Sequence, residues 1–201
     1  NPQRAKRLYF DVIPKAADEY LSFLEKYPDL EDEKKPDNAI WHIHHDNVPG
    51  ASPLSFSLLL NLAAAANAQN KDVMWGFIVR YAPGTSPENS PLLDTLADYA
   101  VRYCRDYVTP HKQYKTPNEA EKAALTDLRD ALQAYEGQPS GEGLQQVVYD
   151  VGMQHYPDAL RDWFKLLYQV LLGQEQGPRF GSFAALYGVE ETVGLISQKV
   201  N

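Results

Sequence analysis

Three groups of residues in this sequence bring reactive or binding side chains close together. The first is Trp41-His42-Ile43-His44-His45-Asp46, three imidazoles and a carboxylate in a row. Zinc accepts such donors, but ligands this close in sequence can share one ion only if the backbone folds tightly around it. No partner ligands at a suitable spacing lie elsewhere in the chain, so the reading is no metal site. The segment is read instead as a loop or short extended lead into a helix at Ser52, with Trp41 and Ile43 buried. The second group is a basic strip, residues 102–115, where Arg102, Arg105, Lys112 and Lys115 face the single acid Asp106 and alternate with Tyr103, Tyr107, His111 and Tyr114. Cations beside aromatic rings suit RNA, since the cations meet phosphates while rings and guanidinium planes stack on unpaired bases. The same pattern also describes a solvated helix face. Arg4, Lys6 and Arg7 add a smaller basic group. The third group is Gly177-Pro178-Arg179-Phe180-Gly181-Ser182-Phe183. Two glycines around a fixed proline dihedral hold one cation and one ring in a compact corner. Either this is a turn between helices with Phe180 and Phe183 in the core, or Arg179, Phe180 and Phe183 meet a ligand. Arg179 capping a helix C-terminus is a further structural alternative.

The elements that must position these groups read as helices. Apolar residues recur at i, i+3, i+4 and i+7 in Met74-Phe77-Ile78-Tyr81, in Leu144-Val147-Val148-Val151 and in Leu160-Trp163-Phe164-Leu167-Leu171. Leu96-Ala100-Tyr103-Tyr107 and Leu125-Leu128-Leu132-Tyr135 are two more such stripes. On a helix from Pro91 to Tyr107, Arg102 and Arg105 point away from the apolar stripe. Ser52-Pro53, Ser90-Pro91 and Thr116-Pro117 each offer a capping hydroxyl before a proline, and Thr116 with Glu119 spells a capping box. The segment from Ser52 to Ala68 is apolar nearly all round and predicts the most buried helix; Asn61 is the polar break in its longest apolar run. Breakers at 82–91 and 136–143 separate the stripes. The sum is an all-α fold of about eight helices. The first fifty residues are less regular, with a short helix from Lys15 to Tyr27 and then a solvated loop at 29–37, where five acids outnumber two lysines.

The 201 residues, 44% of them hydrophobic, suffice for a real core. No run approaches the roughly 20 apolar residues that span a bilayer. Cys104 is the only cysteine, which excludes an internal disulfide or a multi-thiolate zinc site and fits a reducing cytosol. The net charge of −8 weighs against nucleic acid for the chain as a whole and leaves the basic strip as the place for RNA. There is no nucleophile elbow, no phosphate-binding glycine loop and no His-Glu helix pair, so no autonomous active site is expected. The chain opens without Met and without a signal peptide, as an excised piece of a longer protein would.

Residues 5–28 (AKRLYFDVIPKAADEYLSFLEKYP), 73–108 (VMWGFIVRYAPGTSPENSPLLDTLADYAVRYCRDYV) and 167–196 (LYQVLLGQEQGPRFGSFAALYGVEETVGLI) closely resemble the C-terminal part of class I lysyl-tRNA synthetases. The likeness spans nearly the whole chain, and the closing segment carries it most specifically. More distantly, that ending is similar to the end of glutamyl-tRNA synthetases. The resemblance implies a multi-helix anticodon-binding bundle, often called an α-helix cage. It implies a parent enzyme that activates lysine with ATP and magnesium and transfers it to the terminal adenosine of lysine tRNA. The catalytic nucleotide-binding fold is expected outside this chain, which is therefore expected to be inactive alone and to need no cofactor. The His-Ile-His-His of residues 42–45 is not the class I His-Ile-Gly-His signature, because His44 stands where glycine must let ATP pack. On this reading residues 1–50 are a connector that contacts the tRNA stem and 51–201 are the anticodon-binding domain. The tRNA contacts are Arg102, Arg105, Lys112, Lys115, Arg179, Phe180 and Phe183. The partner is the anticodon region of lysine tRNA, with neither membrane nor DNA, in the cytoplasm. Two other classes compete: a helical protein-interaction module without RNA binding, and a stand-alone enzyme using the histidine cluster.

Overall fold

A computed structural model describes residues 9–45 and 47–200. The described residues contain no strand, and nine of their α-helices run eight residues or more. The helices are α1 (Ile13–Lys26), α2 (Ala39–His44), α3 (Phe56–Ala65), α4 (Lys71–Tyr81), α5 (Pro91–Tyr103), α6 (Thr109–His111), α7 (Glu119–Gln133), α8 (Gly141–His155), α9 (Leu160–Leu167), α10 (Phe180–Tyr187) and α11 (Val189–Val200). The fold is all-α, as the 3.6-residue spacing requires.

The most apolar segment becomes the centre. Eight of the ten residues of α3 are buried, and α1, α4, α5 and α10 all pack against it. Its N-terminus is closed twice: Ser55 Oγ accepts from Leu58 N, and the Asp18 carboxylate of α1 accepts from Phe56 N at 2.6 Å and from the Ser57 hydroxyl. A carboxylate at a helix N-terminus satisfies orphan N–H groups and complements the dipole. The start at Ser52-Pro53 is thus displaced to Ser55, because Ser52 folds back onto Leu54 in a local turn. A second displacement occurs at α7, where Asn118 and Glu121 form the capping box expected of Thr116 and Glu119. Asn is at least as good an N-cap as Thr, and Pro117 is buried ahead of the helix. Ser90-Pro91 does start α5, although the Ser90 hydroxyl bonds Asn89 rather than the helix.

The strongest stripe is core: Trp163 and Leu167 are fully buried and Leu171 nearly so. Neither this stripe nor that of α5 stays strictly α-helical. Tyr168–Leu172 and Cys104–Val108 each widen into a π turn. α10 meets α8 at Gly181, where a side-chain carbon would overlap the backbone of Gln145 and Gly141. Gly181 N instead donates to Gln145 Oε1 at 2.9 Å. α4 and α5 are joined by Asp94, which accepts from Lys71 Nζ at 2.6 Å and from Trp75 Nε1 at 3.0 Å.

The described residues ahead of position 50 share this core. Leu21, Leu24, Tyr27 and Ile40 belong to the same buried cluster as α3, so packing is continuous across residue 50. α1 runs close to the expected helix, and the acidic segment is an exposed 3₁₀ turn, Asp32–Asp37, rather than an irregular loop. Residues 39–44 correct the reading of the histidine segment: Asn38 caps a short helix there, burying Ile40 while Ile43 stays 59% exposed.

Two outcomes test this packing. Leu167→Ala is expected to cost roughly 2–5 kcal/mol in urea unfolding, the range for a fully buried leucine; a loss below about 1 kcal/mol would place Leu167 at the surface. The Lys71 hydrogen bond and charge hold the Asp94 carboxyl below the usual carboxylate range, with the Trp75 N–H helping. A carboxyl depressed on folding stabilises above its unfolded pKa of about 4 and loses that contribution as pH falls through the lower folded value. The melting temperature should therefore fall from pH 5 to pH 2, and less steeply in Asp94→Asn.

Candidate nucleic-acid interface

The basic strip divides into outward and inward cations. Arg102 and Arg105 leave the apolar stripe as the helical angle requires, and both are exposed. Each has an acidic neighbour: Arg102 pairs with Asp98 at 2.8 Å, and Arg105 with Asp106 at 2.6 Å. Arg105 in turn holds the Asp106 carboxyl below its ordinary range. Exposed pairs of this kind contribute little to stability, so either guanidinium can exchange its partner for a phosphate.

Lys112 is half-buried and turns inward, whereas Lys115 is exposed like the two arginines. Lys112 Nζ donates to Ala64 O at 3.0 Å, placing a cation at the C-terminal end of α3. Lys115 pairs at 2.5 Å with Glu121, whose carboxylate also receives the Asn118 N–H of the capping box. Burial pushes the Glu121 carboxyl up, but Lys115 and the Asn118 N–H outweigh it and leave it below the ordinary range. The backbone here is pinned as well, since Gln113 N donates to Gly173 O at 2.9 Å and Lys115 N to Gln169 O at 3.1 Å. The strip thus lies against the loop that leads into Gly177.

The closing corner separates its three candidates. Phe180 and Phe183 are 0% exposed, which corrects the expectation that they meet a ligand: no base can stack on a ring with no free face. They belong to an aromatic chain in the core, Tyr168 to Phe180 at 6.1 Å, Phe180 to Phe183 at 5.5 Å and Phe183 to Tyr187 at 5.3 Å. Arg179 is exposed and has no ion pair among the described residues. It is the N-cap of α10, not a C-terminal cap, and its carbonyl accepts from Phe183 N at 3.1 Å. A guanidinium here opposes the helix dipole, so the dipole gives no reason for a cation at this position. Its backbone is held on both sides, by the Tyr168 hydroxyl donating to Pro178 O and by the Gly181–Gln145 bond.

One feature escaped the sequence reading. Phe10 is 55% exposed and stacks on Tyr107 at 4.6 Å, and Tyr107 stacks on Tyr103 at 5.2 Å. The Tyr103 hydroxyl donates back to Phe10 O at 2.9 Å. This ladder, on the stripe that Arg102 and Arg105 point away from, leaves Phe10 at its open end. Phe10 lies some ninety residues from its partners, and no local pattern announces it.

His44 is occupied by Tyr20, whose hydroxyl lies 2.9 Å from Nε2. Among the described residues no three His, Cys, Asp or Glu side chains converge as a metal would need. Asp46 lies outside the described residues, as do Arg4, Lys6 and Arg7. No described helix is long and apolar enough to cross a membrane.

No protein-family model matches the chain. Individual proteins match it along its whole length: one from Roseobacter denitrificans is 53% identical over 97% of the chain, and one from Rickettsia bellii 50% over 100%. One from Rickettsia felis is 47% identical over 100% of the chain. All three carry the name of an aminoacyl-tRNA synthetase. Each is a lysine–tRNA ligase, and this chain is homologous to a C-terminal part of that protein. It spans 37–39% of the length of these relatives.

The split between outward and inward cations is testable without any ligand. Lys112→Ala should cost about 1 kcal/mol, the worth of a partly buried charged hydrogen bond less solvent compensation. Arg105→Ala should leave the urea midpoint unchanged. Equal destabilisation by the two would show that the strip is uniformly structural.

Proposed function

We propose that this chain is the tRNA-binding helical part of a class I lysine–tRNA ligase, receiving the anticodon of lysine tRNA. The observation that carries the reading is about half identity along the whole chain to lysine–tRNA ligases, in a stretch that folds as helices alone. On this reading the chemistry belongs to the rest of the parent enzyme. There ATP with magnesium would activate lysine, and the aminoacyl group would pass to the tRNA. The cytoplasm is the expected setting. Residues 1–50 would lead from that catalytic part and contact the stem, and 51–201 would receive the anticodon.

The residues divide the work by what they expose. Arg102 and Arg105 meet phosphates, contacts that release counterions and carry no sequence information. The free face of Phe10 stacks on an unpaired base. Arg179 projects from a held backbone at a helix N-terminus, where cation and dipole both favour an anion or an electron-rich base edge. Lys112 places the strip, while the exposed Lys115 meets a phosphate as the arginines do.

The test is a titration of the 201-residue chain with lysine tRNA and an anticodon-swapped control at several salt concentrations. Salt-sensitive binding that favours lysine tRNA is expected. Salt-insensitive capture of peptides with no tRNA binding would instead support a protein-interaction module. Arg179→Lys should reduce the preference between the two tRNAs by roughly 1–3 kcal/mol, the value of one bidentate base contact, while melting like the wild type. Unchanged preference would leave Arg179 without a reading role.

A further inference from the structure

The loop that leads into α10 is closed at both ends by one residue. Tyr168 O accepts from Gln174 N at 3.2 Å, and the Tyr168 hydroxyl donates to Pro178 O. The ring between these two bonds is 4% exposed and meets Phe180 edge-on at 6.1 Å. Gly177 lets the loop lie directly on that ring. A side-chain carbon at Gly177 would stand 2.3 Å from a Tyr168 ring carbon and 2.5 Å from Asn61 Nδ2. Tyr168 also opens the π turn Tyr168–Leu172, and π turns within helices gather at functional sites.

Packing accounts for the ring but not for its hydroxyl, since phenylalanine would fill the same space. What the hydroxyl adds is a hold on one peptide plane. Pro178 O and Arg179 N belong to the same rigid peptide group, so anchoring the oxygen fixes the plane that carries Arg179. The plane that follows is fixed by Arg179 O, which accepts from Phe183 N at 3.1 Å. Arg179 Cα thus sits between two anchored planes, and the direction in which its exposed side chain leaves the backbone is set. Burial pushes the Tyr168 phenol above its ordinary range, so it remains a donor throughout neutral pH. A side chain that discriminates must be held within roughly 0.5 Å by groups that do not themselves touch the ligand. We propose that Tyr168 is the positioning residue for Arg179: its hydroxyl orients the guanidinium toward bound tRNA and sets the discrimination that Arg179 exerts. The inference rests on the reading of Arg179 given above and adds the buried group through which it becomes selective.

The test titrates lysine tRNA and the anticodon-swapped control against the 201-residue chain carrying Tyr168→Phe, Arg179→Lys or both. Tyr168→Phe should lower the preference for lysine tRNA about fivefold. Affinity for the control and its salt dependence should stay as in wild type, because Arg102 and Arg105 keep their phosphates. The double variant should lose no more than Arg179→Lys alone, since two changes to one contact do not add. If Tyr168→Phe does not fold, Gly177→Ala, at an exposed loop position, forces the loop and ring apart and should give the same non-additive loss. Additive losses, equal weakening of both tRNAs, or full preference in a folded Tyr168→Phe would overturn this inference while leaving Arg179 its role. Unchanged preference in Arg179→Lys would overturn that role and this inference together.

Discussion

The bundle depends on one backbone contact. At Gly181, α10 lies against α8 with no side chain between them, and the space is so short that an amide of α10 bonds directly to Gln145. That closeness decides what the neighbours can do. Phe180 and Phe183 fall inside, between α10 and the aromatic chain from Tyr168 to Tyr187, whereas Arg179, one residue earlier, is left outside at the helix entry. The sharp division between a buried ring and an exposed cation at adjacent positions follows from how tightly two helices touch. The same contact draws α10 over α3 and α4, so the central helix is covered from a side where the chain would otherwise leave it open.

The helical stripes were legible because burial and periodicity are one fact seen twice: residues that repeat every 3.6 positions can face one core. Met74, Ile78, Leu144, Val148, Trp163 and Leu167 are all essentially excluded from solvent. Helix ends were less legible. Capping residues compete over two or three positions, and the winner depends on tertiary partners such as Asp18, thirty-eight residues from the N–H it accepts. The histidine segment was misread as a loop because six residues carry too little periodicity to outweigh its polar composition.

The candidate interface was legible only in part, for a related reason. Sequence spacing places Arg102 and Arg105 correctly on an exposed face, but it cannot show that Lys112 turns inward to a carbonyl of α3. Phe180 and Phe183 share composition with rings that stack on bases; only packing distinguishes the two uses. Asn61 left the clearest trace, a lone amide in the most apolar helix.

The Asp18 carboxylate has a consequence for where this fold can be divided. It reaches from α1 to the first N–H groups of the central helix, while Leu21, Leu24 and Ile40 fill the same core. A cut at residue 50 would uncap α3 and expose its apolar flank to water in a single stroke. The smallest piece able to fold alone therefore begins ahead of α1. A displacement of α1 would reach the N-terminus of the central helix directly, through Asp18.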